Sequence, residues 1–82
     1  MMQRVLQIVS DVLGEPIEKL SGSSSPNTVE KWDSLNHMNL ILALEEAFGV
    51  QFTDDQIMKL LTVDAIVAAL TESAPDRGHG AG

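Results

Sequence analysis

The chain contains no cysteine, so no disulfide framework and no thiolate metal site is available to it. Any thiol chemistry it takes part in must come from an added group. Basic residues are scarce: 5 against 12 acidic ones, for a formal net charge of −7. Such a surface repels nucleic-acid phosphates and anionic headgroups and attracts basic patches on proteins, although an acidic balance also serves plain solubility. No apolar run is long enough to span a bilayer, and the N-terminus lacks a charged segment followed by an apolar one. A soluble, cytoplasmic, monomeric protein is expected, with no nucleic-acid partner and no membrane insertion.

What is present is 82 residues with a 44% hydrophobic fraction, enough for one small domain. Apolar positions at Val5, Ile8, Val9, Val12 and Leu13 predict a helix over Arg4–Leu13, with Gly14 as its stop and Glu15-Pro16 forbidding continuation. A long loop follows through the cluster Ser21-Gly22-Ser23-Ser24-Ser25-Pro26-Asn27, with Ile17, Leu20 and Val29 expected to anchor it. A loop of this length in a small domain usually does something. The second helix is predicted from about Ser34 to Phe48, with Asp33 as N-cap and Gly49 as terminator. Thr53-Asp54-Asp55-Gln56 has the spacing of a capping box for a short helix, Asp54 to about Leu60. Thr62 is placed to cap a last helix, Val63–Leu70. Val50-Gln51-Phe52 is too short to build a sheet. The expected fold class is all-α: a small four-helix bundle, three main helices plus one short helix, with a long first loop. Residues 1–72 form the domain, and 73–82, lacking apolar periodicity, are expected to be a disordered tail.

On a wheel at about 100° per residue, Leu40, Ile41, Leu44 and Phe48 share one sector of the second helix, with Ala47 at its edge. That is the stripe that packs. Ser34, Leu35, Met38 and Leu42 fall on another sector, shared with Asn39, Glu45 and Glu46. A helix outside a bundle needs only one apolar stripe. The second is either a docking surface beside Ser34, apolar at one end and acidic at the other, or a surface covered by the long loop. Trp32, the one tryptophan, reads as a core or loop anchor.

Ser34 is a poor nucleophile by itself. It needs a general base and an oxyanion site. His37 is turned by the wheel toward the Leu44–Phe48 side, away from Ser34, and His79 lies in the tail. Trp-Asp-Ser-Leu-Asn lacks the glycines of a nucleophile elbow. His37 is expected to be a hydrogen-bonded residue at the core edge, and no second ligand at metal spacing accompanies it. What Ser34 can do is carry a phosphoryl-linked group, because the first turn of a helix presents free amides and the positive end of its dipole. Asp33, as cap, opposes this slightly.

The block Asp33-Ser34-Leu35, followed by Leu40, Ala43-Leu44-Glu45-Glu46 and Phe48, resembles the acyl carrier protein family, and the resemblance extends over Val5–Leu70. It implies an acyl-carrier fold and a protein that is a shuttle for thioesters, not an enzyme. It implies 4′-phosphopantetheine, derived from coenzyme A, on Ser34, attached by a phosphopantetheinyl transferase whose magnesium Asp33 helps to place. Leu35, Met38, Asn39, Leu42, Glu45 and Glu46 would match the family's partner-recognition helix. Partners would be enzymes with basic docking patches that load, transfer or condense acyl groups. Leu44, Phe48, Ile57, Leu60 and Ile66 would line a cleft sheltering an acyl chain. Asn36 and Asn39 stand where fatty-acid members usually show acids, and Trp32 replaces a small residue. The resemblance therefore points to a specialised stand-alone carrier. A peptidyl carrier usually has glycines before the serine. A non-covalent helical adaptor that grips its partner through Leu35, Met38 and Leu42 is the rival reading.

Overall fold

The structure is a computed structural model and describes residues 1–73. Apart from Ser73, the expected tail lies outside the described residues. Four α-helices are present among the described residues: α1 (Met2–Leu13), α2 (Ser34–Phe48), α3 (Asp54–Lys59) and α4 (Val63–Ser73), with one 3-10 turn at Ile17–Lys19. No strand occurs among the described residues, Val50–Phe52 included.

α1 starts two residues before the periodicity suggests, because Met2 packs half-buried against the core. It ends at Gly14, whose φ of 71° lets its amide bond back to the Ser10 carbonyl. A left-handed terminus of this kind satisfies a helix-end carbonyl at little steric cost to glycine. α1 packs on both α2 and α4. Val5, Val9 and Leu13 meet Leu40, Ile41 and Leu44 of α2 and Val63, Ile66 and Leu70 of α4 in one buried cluster. Phe48, expected inside, is half-buried at its edge. Arg4 donates to the Ala47 carbonyl at 3.2 Å and lies 4.8 Å over the Phe48 ring, a cation placed at the negative end of α2.

The long loop is a fitted part of the bundle. Leu20 and Val29 are buried, and so is Trp32 at its end. Ile17, expected to share that anchoring, is only half-buried and starts the 3-10 turn. The Ser24 and Gly22 carbonyls accept the Val63 and Asp64 amides at 3.2 and 2.8 Å. The loop thereby supplies acceptors to the first amides of α4, and the Thr62 hydroxyl takes the Ala65 amide at 3.0 Å. The capping box of α3 is complete: Thr53 accepts from the Gln56 amide, and Gln56 accepts from the Thr53 amide.

Candidate functional site

Ser34 is the first residue of α2 and is exposed. Asp33 performs the capping: its Oδ1 accepts the Asn36 amide at 2.8 Å. The serine hydroxyl is thus relieved of that duty. The first turn of α2 holds no acidic residue, so its amides and dipole face an incoming anion with only the Asp33 carboxylate against them. Asn36 explains part of that neutrality. Its Nδ2 donates to the Lys31 carbonyl at 2.7 Å, a bond that a carboxylate cannot make. Nothing in the helical spacing reveals this role, because the partner is a loop carbonyl. Pro26, Trp32, Asp33, Ser34, His37 and Leu61 line an open hollow of about 350 Å³ beside the hydroxyl. An exposed hydroxyl, free first-turn amides and an adjoining hollow fit a phosphodiester-linked arm.

His37 is half-buried. It faces α3, in keeping with its expected place at the core edge, but its ring also borders the hollow it shares with Ser34. Its chemistry is nonetheless committed elsewhere. Trp32 Nε1–H donates to Nδ1 at 3.0 Å, and Nε2 lies 2.9 Å from the Ile57 carbonyl. An indole is only a donor, so Nδ1 must accept and Nε2 must carry the proton that goes to Ile57. No lone pair remains to take a proton from Ser34, which removes the physical basis of a hydrolase. Trp32 is 1% exposed and stacks near the imidazole at 6.2 Å.

The loop does not cover the second stripe of α2. Leu35, Met38 and Leu42 are exposed at 71, 44 and 59%. Two further exposed apolar side chains, Met58 of α3 and Leu61 just beyond it, escape sequence reasoning because they lie on a short helix and its exit turn. Asn39 and Glu46 are exposed on α2 as well. Glu45 is different: half-buried, it accepts the Phe52 amide through Oε2 at 2.9 Å. Of the residues assigned to a cleft, Leu44, Leu60 and Ile66 are closed within the core, and Phe48 and Ile57 pack half-buried against it.

Residues 3–70 match the family model described as phosphopantetheine attachment site. Relatives of similar length carry the name acyl carrier protein. The one from Sinorhizobium fredii is 43% identical over 65 residues, spanning 78% of this chain and 83% of that protein. The one from Thermosynechococcus vestitus is 38% identical over 66 residues, 80% and 82% of the two chains. The one from Rubrobacter xylanophilus is 32% identical over 71 residues, 87% and 88%.

Proposed function

The chain belongs to the phosphopantetheine-attachment family as an acyl carrier rather than a catalyst, and on that premise we propose that Ser34 bears the 4′-phosphopantetheine arm and that α2 presents the loaded arm to partner enzymes. The observation that carries this reading is the exposed Ser34 hydroxyl at the start of α2, beside an open hollow and an uncovered apolar ridge. In attachment, Ser34 Oγ forms a bond to the phosphorus next to the pantetheine of coenzyme A. The bond from that phosphorus to the bridging oxygen breaks, adenosine 3′,5′-bisphosphate leaves, and the hydroxyl proton passes to the transferase. Asp33 helps the transferase hold its magnesium. The thiol of the arm then carries acyl groups as thioesters.

Leu35, Met38, Asn39, Leu42 and Glu46 form the contact face for loading, transfer or condensing enzymes, and the acidic balance of the chain steers it toward basic patches. The neutral Asn36 and Asn39 favour a dedicated acyl or polyketide-type assembly over the general fatty-acid cycle.

Incubation with coenzyme A and a promiscuous transferase is expected to add one phosphopantetheinyl mass to the wild type and none to Ser34→Ala. Folded wild-type protein that no transferase modifies would overturn the proposal. The exposed Leu35–Met38–Leu42 ridge also suits a non-covalent adaptor, for which Ser34→Ala would retain full partner-dependent activity.

A further inference from the structure

We propose that Trp32, His37 and the Ile57 carbonyl form a latch that shuts the core to cargo, so that this carrier serves short or polar acyl groups held outside the protein. The inference rests on the attachment at Ser34 proposed above.

α3 carries Ile57, and Leu60 follows it, two of the residues that the family resemblance places along an acyl cleft, so α3 is the element that an entering alkyl chain would displace. It has six residues, none of them buried, and a helix of that length has little stability of its own. It is kept in place by the half-buried Ile57, by Leu60 just past its end, and by His37. The Ile57 carbonyl belongs to the last turn, where intrahelical partners run out. The Leu61 amide, four residues on, bonds to Lys59 instead, and the Leu60 amide reaches Ile57 only at 3.4 Å. The imidazole, at 2.9 Å, is the closer donor to this carbonyl.

Trp32 makes the donor reliable. Its indole N–H occupies Nδ1, which places the ring proton on Nε2, opposite Ile57. The indole is almost completely buried, so turning the imidazole away would strand a buried N–H. His37 borders the hollow at Ser34 and binds α3. A chain passing from that hollow between α2 and α3 toward Leu44, Leu60 and Ile66 would meet this bond, which joins the two helices. Those three side chains are 0, 3 and 0% exposed. A short or hydrophilic acyl group has no such need, since it loses little by staying in water.

The test loads the full chain with butanoyl- and dodecanoyl-phosphopantetheine from the corresponding acyl-coenzyme A and a promiscuous transferase. Methyl NMR of Leu44, Leu60 and Ile66 then reports whether the acyl chain enters. In the wild type, both loaded forms are expected to match the unacylated arm-bearing form at these methyls. In Trp32→Phe and in His37→Ala, the dodecanoyl form is expected to move them and the butanoyl form to leave them. Core shifts in wild-type dodecanoyl protein overturn the latch, and so do unmoved methyls in both variants. If His37→Ala does not fold, Trp32→Phe and the wild-type pair still decide. Failure to obtain any loaded form defeats the attachment reading itself, whereas a loaded form with shifted core methyls defeats the latch alone.

Discussion

At the scale of single residues, three side chains before and within the first turns of α2 do work that their types only partly advertise. Asp33 is legible from sequence, because an acid ahead of an apolar helical pattern is a cap, and its carboxylate takes the Asn36 amide. Asn36 is not, because its partner is the Lys31 carbonyl, and for His37 only its place as a hydrogen-bonded residue at the core edge is legible, not its partners Trp32 and Ile57. Changing Asn36→Asp replaces a donor with a charged acceptor facing a carbonyl. A loss of about 1–2 kcal/mol in urea unfolding is expected, together with slower modification of Ser34 from the added negative charge. Trp32→Phe keeps most of the buried ring but orphans His37 Nδ1. It should cost about 1–3 kcal/mol, against about 3–5 kcal/mol for Trp32→Ala, which also opens a cavity. A Trp32→Phe variant as stable as the wild type would argue that the indole N–H contributes nothing.

Among the elements, α2 is where pattern and structure agree most closely, since its two ends are set by local chemistry. Asp33 caps one end, and at the other Gly49, at φ 65°, returns its amide to the Glu45 carbonyl. Gly49→Ala should lower stability by about 1 kcal/mol through backbone strain alone, because no neighbour lies within 4 Å of the added methyl. The same logic made α3 readable through its capping box. Periodicity fails where a distant group intervenes. The α2–α3 connection depends on a side-chain-to-backbone bond that no periodicity reports, and Glu45 shows the consequence. It sits on the face shared with Glu46 yet spends its carboxylate on Phe52. The two acids should therefore separate on mutation. Glu46→Lys is expected to raise the KM of partner enzymes severalfold at low salt with thermal stability unchanged. Glu45→Lys should also lower the melting temperature by a few degrees, as for a lost bond worth about 1 kcal/mol. Matching melting temperatures would remove the structural role of Glu45.

For the molecule as a whole, the helix complement and the packing stripe of α2 could be read from spacing, whereas the closing of the bundle could not. The long loop is anchored by Leu20, Val29 and Trp32, as their apolar character in a polar stretch suggests, but its loan of the Gly22 and Ser24 carbonyls to α4 is not legible. Only the folded path of the chain brings these groups together. The net charge of −7 acts at this scale too. Raising ionic strength shortens the range of the field, so KM values with basic partner enzymes should climb with salt while kcat holds; a flat salt profile would assign recognition to the apolar ridge. Finally, the lone indole borders the hollow beside Ser34, nearly buried and stacked near an imidazole. The protein thus carries a built-in optical probe. Intrinsic fluorescence, read without any label, will report the surroundings of that hollow in real time as the arm is attached, acylated and discharged.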